Sequence, residues 1–371
     1  MMETRRNLIR HYFNLGYSYK EIILCLRLKH FIQISVRHLK RILRKENLFR
    51  RKNQSNVLDV AAYIDSEVQM SGSLHGYRWM HLKCIQNKLV TIHENVPELL
   101  KVMDPEGCKI RSKKRLRRRS YYSKGPNYLW HVDSYDKLKP FGICINGCID
   151  GFSRKIIWLE AYVSSSNPKI IAGYYTNAVK NMNACPLRIR SDRGTENSYI
   201  EQMQMFLRRN HTDEFAFEKS FLKGVSTANQ RIEAWWSVLR KQNSQFWINV
   251  FGIMRDSGDF SGDFLDKNLI QFCFMNIIQR ELNQVVKVWN AHRIRGTKNM
   301  NSPNGRPNIM FSLPQLCDTH EYAVDVDARE VSVCEDECIF KGNLHNIDAP
   351  HDCFTAKEVY IFLKNEIRRN F

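Results

Sequence analysis

The chain has 371 residues, 43% of them hydrophobic and 26% charged. That is enough for a sizeable globular core and for two or three domains. Lysine and arginine number 57 against 38 acidic residues, a formal net charge of +19. An excess of that size favours a polyanionic partner, nucleic acid foremost. No uninterrupted apolar run reaches the roughly 18 residues a membrane span needs, so no membrane association is expected. The opening Met1-Met2-Glu3-Thr4-Arg5-Arg6 leads into a charged amphipathic segment without a secretory pattern. The 11 cysteines are therefore expected as free thiols in a reducing compartment, nuclear in a eukaryote and otherwise cytoplasmic.

Residues 7–48 read as three short helices. Leu8, Ile9, Tyr12, Phe13 and Leu15 form an apolar stripe that Gly16 ends. Ser18 is placed as an N-cap with Glu21 as its capping-box partner, and Ser35 caps a third helix. Val36, Leu39, Ile42 and Leu43 face inward there, leaving Arg37, His38, Lys40, Arg41, Arg44 and Lys45 on the polar face. That is the layout of a helix-turn-helix whose third helix enters the major groove, and the segment from Gly16 to Ile22 resembles the helix-turn-helix at the front of transposases. Arg37, Lys40, Arg41 and Arg44 are its candidate DNA contacts. A second helical region covers about 57–107, where Gly76-Tyr77-Arg78 resembles the stretch upstream of the catalytic core in some insertion-sequence transposases. Then comes the densest charge run, with Lys109, Arg111, Lys113, Lys114, Arg115, Arg117, Arg118 and Arg119. Like charges packed so closely repel in the absence of a counter-anion, so the run reads as a linker lying along DNA phosphates or as a nuclear-import signal.

From residue 127 the pattern turns strand-like. Strands are expected over 128–136, 141–150 and 155–162, with a turn at Gly151-Phe152-Ser153-Arg154. A helix opens at Pro168, a fourth strand covers 187–191, a helix about 198–209, a short strand 215–218 and a long helix about 226–246. Three motifs in this order carry a family resemblance. Asp150-Gly151-Phe152-Ser153-Arg154 resembles the Asp-x-Phe-Ser-Arg turn of integrase catalytic cores. Ser191-Asp192-Arg193-Gly194-Thr195-Glu196-Asn197 resembles their Ser-Asp-x-Gly-x-Glu segment, and Asn229-Gln230-Arg231-Ile232-Glu233 their Asn-x-x-x-Glu. The chain thus resembles the DDE superfamily of integrases and transposases. The resemblance implies an α/β ribonuclease-H-like core, a mixed five-stranded sheet with flanking helices, preceded by all-α helix-turn-helix regions.

Carried over by position, it makes Asp133, Asp192 and Glu233 the catalytic, metal-binding triad, with Mg²⁺ as cofactor and Mn²⁺ as a substitute. The interval from Asp192 to Glu233 is a few residues longer than in many family members. Asn210-His211-Thr212-Asp213-Glu214, which reads as a loop, takes up the difference. Asp136 and Asp150 compete with Asp133 for its role, but Asp150 precedes a tight turn and suits hairpin capping. Glu196 is a further ligand candidate but better suits a helix cap or a supporting position. Ile232, Trp235, Trp236 and Leu239 at helical spacing read as core packing, and Arg240 with Lys241 is placed to touch substrate phosphates.

The domain reading is 1–53 helix-turn-helix, 54–108 second helical region, 109–126 basic linker, 127–247 catalytic core, 248–309 helical extension and 310–371 C-terminal region. The last of these carries Cys334, Cys338, His345, His351 and Cys353, whose spacings are not the tight pairs of a zinc finger. Two further functions compete with DNA integration: a domesticated, catalytically silent DNA- or chromatin-binding protein, and a nuclease of the same fold that cleaves without joining. Synapsis of two DNA ends implies a homo-oligomer on DNA.

Overall fold

The computed structural model describes residues 5–111, 121–296, 303–340 and 350–370. The run Lys113, Lys114, Arg115, Arg117, Arg118 and Arg119 lies outside them, as does His345. The chain divides into two compact units, one formed by residues 1–120 with 288–318, the other by 121–287 with 319–371.

The first unit is helical. α1 (Arg5–Asn14), α2 (Tyr19–His30) and α3 (Val36–Lys45) pack through Leu8, Ile9, Ile22, Leu26, Leu39 and Leu43. Both expected caps form. Ser18 Oγ accepts from the Glu21 amide while the Glu21 carboxylate accepts from the Ser18 amide, and Ser35 Oγ accepts from the His38 amide at 3.2 Å. Each cap satisfies helix donors that would otherwise stay unpaired. α4 (Val57–Gln69), α5 (Tyr77–Gln86), α6 (Asn95–Met103) and α7 (Pro105–Arg111) follow. Val60, Ile64, Met80, Cys84, Val96 and Leu100 make a second small core.

The second unit is built on β1 (Trp130–Tyr135), β2 (Cys144–Asp150) and β3 (Ile156–Tyr162), followed by α8 (Pro168–Met182), β4 (Ala184–Cys185), β5 (Ile189–Ser191), α9 (Ser198–Leu207) and β6 (Phe221–Lys223). The main sheet has the order β3-β2-β1-β5-β6. β1 pairs antiparallel with β2 and parallel with β5, and β5 pairs parallel with β6. α10 (Gln230–Leu239) runs through a π-helical turn at Arg240–Ser244 into α11 (Gln245–Asp256), and α12 (Phe264–Ala291) follows. α13 (Pro307–Ser312) belongs to the first unit, and the second unit is completed by β7 (Val324–Asp325), which pairs with β4, α14 (Ala328–Asp336) and α15 (Cys353–Asn370).

Two expectations are corrected. The last strand of the sheet is Phe221–Lys223, not 215–218, because Phe217 takes a left-handed backbone (φ 52°) that a strand does not accommodate and opens a 3₁₀ turn over Phe217–Ser220. The helix expected over 226–246 begins at Gln230, after a 3₁₀ turn at Ser226–Ala228, and continues to Asp256. The loop expected near residue 210 is present, and Asp213 in it receives both bonds of the buried Arg208 guanidinium, at 2.6 and 2.7 Å.

Residues alternate across a strand, and on β1 that alternation separates two environments. Trp130 and Val132 join Cys148, Trp158, Ile171, Tyr175, Val179, Ile189, Ile200 and Leu207 in the core under α8 and α9, which Val331 and Cys334 of α14 also enter. His131 and Asp133 turn the other way, toward α10. Among the described residues no helix is long and apolar enough to cross a membrane, and all eleven cysteines are free.

Candidate active site

Asp133 is half-buried on β1. Its Oδ2 accepts a 2.7 Å hydrogen bond from the Trp236 indole. Trp236 can lie there because residue 147, on the neighbouring strand, is glycine: a Cβ would stand 2.8 Å from the indole ring. Burial pushes the Asp133 carboxyl up to about 7. The indole bond opposes the shift, and the charges of Glu233 and Asp192 add to it.

Asp192 follows β5. Its Oδ1 accepts from the Gly194 amide at 3.1 Å and the Asn197 side-chain amide at 3.3 Å, which fixes the loop around it. The same Asn197 nitrogen reaches Glu196 Oε1 at 3.4 Å, so one donor bridges two carboxylates. A Cβ on Gly194 would collide with the Glu196 carboxylate. Burial raises Glu196, and the Asp192 charge adds to the rise.

Glu233 lies in the first turn of α10, with an exposed side chain. Partial desolvation raises its carboxyl, and the Asp192 charge raises it further. Asp133 thus feels the charges of Glu233 and Asp192, and Glu233 feels that of Asp192, across three separate elements. The three acids do not close into a cage: among the described residues, no three His, Cys, Asp or Glu side chains form a group that could hold a metal ion. The rivals are accounted for. Asp136 is exposed and pairs with Lys139 at 2.9 Å. Asp150 is fully buried and caps its turn, accepting from the Ser153 amide and hydroxyl at 2.7 and 2.6 Å and from the Asn127 amide at 2.8 Å.

Arg37, Lys40, Arg41 and Arg44 are exposed on α3 in the other unit. Arg240 and Lys241 are exposed on the π-helical turn, where Arg240 Nε donates to Gln245 at 2.8 Å.

Several residues at the site were not singled out by sequence reasoning. Trp236 packs as expected, at 6% exposure, but it also holds Asp133. His131 is fully buried, with Nε2 2.7 Å from the Tyr121 hydroxyl and Nδ1 2.7 Å from Asn229 Oδ1. Arg231 lays its guanidinium 4.0 Å over the Tyr121 ring and donates to Gly151 O at 2.9 Å. The one available signal was the composition of the motifs: His131, Asn229 and Arg231 each stand within four residues of a candidate acid.

No curated protein matches this sequence. The family model for the integrase core domain matches residues 120–309, which takes in the whole five-stranded sheet, the three acids and the helices up to α13. With that match and this mixed sheet, the chain belongs to the integrase core domain family, a branch of the DDE-type, ribonuclease-H-like superfamily.

Proposed function

We propose that this protein cleaves and joins DNA in a divalent-metal-dependent reaction of the transposase and integrase type. The observation that carries the proposal is that Asp133 on β1, Asp192 at the end of the adjoining strand β5 and Glu233 on α10 belong to neighbouring elements: β1 pairs with β5, Trp236 of α10 bonds Asp133, and the charges of Glu233 and Asp192 add to the burial that raises Asp133. The donor set is carboxylate oxygen, which suits Mg²⁺ with Mn²⁺ as a substitute. Burial of Asp133, with the charges of Glu233 and Asp192 added to it, is what a bound cation would offset. A pair of such ions supplies activation of an attacking oxygen and stabilisation of the departing one. Asp133, Asp192 and Glu233 are the residues that would hold it. Trp236 keeps Asp133 oriented, and the Gly194 and Asn197 amides do the same for Asp192.

DNA is the partner in this reading. Arg37, Lys40, Arg41 and Arg44 on α3 are the groove-reading face. Arg240 and Lys241, with the basic run 113–119, take phosphates. The protein acts as a homo-oligomer that holds two DNA ends, in the nucleus of a eukaryote or the cytoplasm otherwise. Its working parts are the helical regions 1–53 and 54–108, the linker 109–126, the core 127–247, the extension 248–309 and the C-terminal region 310–371.

The test is nicking and joining of duplex DNA by purified protein in Mg²⁺ or Mn²⁺, beside Asp192→Asn. Activity that vanishes in the variant supports the proposal. Equal behaviour of the two proteins with DNA binding intact favours the second reading, a domesticated DNA-binding protein, which the exposed basic face of α3 by itself would serve.

A further inference from the structure

The helix that carries Glu233 is tied to the strand that carries Asp133 by a buried amide–imidazole pair. We infer that this pair, Asn229 with His131, is a latch that sets where the third acid stands relative to the first two. The inference rests on the carboxylate reading above and names two positioning residues for that site.

Asn229 occupies the N-cap position of α10, where an asparagine side chain ordinarily accepts from its own helix's amides. Here it makes no such bond. Its Nδ2 donates instead to Val132 O on β1 at 2.8 Å, and its Oδ1 faces His131 Nδ1 at 2.7 Å. Both partners lie immediately before Asp133. The Asn229 backbone carbonyl accepts from the Glu233 amide at 3.2 Å. One residue is thus bonded to the strand one peptide before the first acid and to the backbone amide of the third. Asn229 and His131 are 1% and 0% exposed, so no water competes for these bonds.

The hydrogen-bond directions close on themselves. With Nδ2 given to a carbonyl, only Oδ1 remains to face the imidazole, so Nδ1 carries the proton. Nε2 is then an acceptor and takes the Tyr121 hydroxyl at 2.7 Å. The partners fix a single neutral tautomer. Tyr121 is pinned in turn. The Arg231 guanidinium covers its ring, and a Cβ on Gly151 would stand 2.6 Å from its hydroxyl and 2.8 Å from Leu129 O. The Asp-x-Phe-Ser-Arg turn, the strand end and the final-acid helix therefore meet at one buried polar cluster. A buried histidine serving only to fill space would need no asparagine drawn away from its cap.

Asn229→Ser separates the latch from the helix start, because serine caps as well as asparagine but is too short to reach His131. Removing groups that orient metal ligands costs roughly 10- to 100-fold in metal affinity or activity. The full-length variant is expected to fold, to bind Mn²⁺ at least about 10-fold more weakly, and to nick supercoiled plasmid with a reduced kcat at unchanged KM for DNA. ¹⁵N spectra of histidine-labelled protein should show the Nδ1–H tautomer at His131 in the wild type and its loss in the variant. Tyr121→Phe, which deletes one oxygen, is the second variant should Asn229→Ser fail to fold. It should weaken Mn²⁺ binding in the same direction. Wild-type Mn²⁺ affinity and kcat in whichever variant folds overturn the latch, provided Asp192→Asn abolishes both. If Asp192→Asn leaves both intact, it is the carboxylate reading that fails, and the latch as a positioning device fails with it.

Discussion

Replacing Trp236 by phenylalanine keeps an aromatic ring near Gly147 but deletes the donor that holds Asp133. The lost bond is 2.7 Å long and made to a carboxylate. Hydrogen bonds to charged groups contribute roughly 1.5–3 kcal/mol. One pH unit of acidity corresponds to about 1.4 kcal/mol, so the Asp133 carboxyl, already at about 7, should rise by about one to two pH units. Glu233→Gln should act with the opposite sign, because it removes a negative charge that raises Asp133. A ¹³C-carboxyl NMR titration of the metal-free protein reads both directly. Stability follows the same sign. Between the ordinary value of 3.8 and about 7, the folded protein holds a proton that the unfolded chain has released. The contribution of Asp133 to stability is therefore highest at the acid end of that window and falls as pH rises through it. In Trp236→Phe the decline should extend to higher pH. An unchanged or lowered Asp133 titration in Trp236→Phe, or a raised one in Glu233→Gln, refutes the electrostatic account of the site.

Three further outcomes are expected. Asp266 is fully buried and accepts from Lys364 at 2.9 Å, Tyr360 at 2.8 Å and the Ser261 hydroxyl at 2.7 Å. Asp266→Asn leaves the buried Lys364 ammonium without its counter-charge and should cost about 3–5 kcal/mol in urea unfolding. Adding Lys364→Met should recover much of the loss; a neutral single variant contradicts this. Ser35→Ala removes the α3 cap and should cost about 1 kcal/mol, visible as faster amide exchange in the first turn of α3. Arg37→Ala with Arg41→Ala should weaken DNA binding and flatten its dependence on log salt by about 0.9 per lost phosphate contact. A slope identical to wild type would remove α3 from the DNA interface.

Local signals were readable from the sequence and long-range ones were not. The Ser18 and Ser35 caps were legible because donor and acceptor lie three residues apart. The order of the core elements was legible because β1 to β3 alternate or run apolar and Pro168 opens α8. β6 was misplaced by its aromatic neighbours Phe215 and Phe217. Its position is set by pairing with Ile189–Ser191, a register that no local pattern encodes. The helix bearing Glu233 starts after a 3₁₀ turn at Ser226–Ala228, and the Asn229 side chain at its start bonds to Val132 O and His131 on β1, 97 and 98 residues away. For the same reason Trp236 read only as packing: its indole meets a carboxylate 103 residues away.

The central claim is that Asp133, Asp192 and Glu233 act as one metal-dependent centre. It is tested most directly by Mn²⁺ binding, followed by electron paramagnetic resonance, in the wild type and in Asp133→Asn, Asp192→Asn and Glu233→Gln. The account predicts saturable binding that each single substitution weakens at least as much as loss of a group that only orients a ligand does, about 10-fold or more. Binding of equal strength in all four proteins, or no saturable binding in the wild type with DNA present, would contradict it.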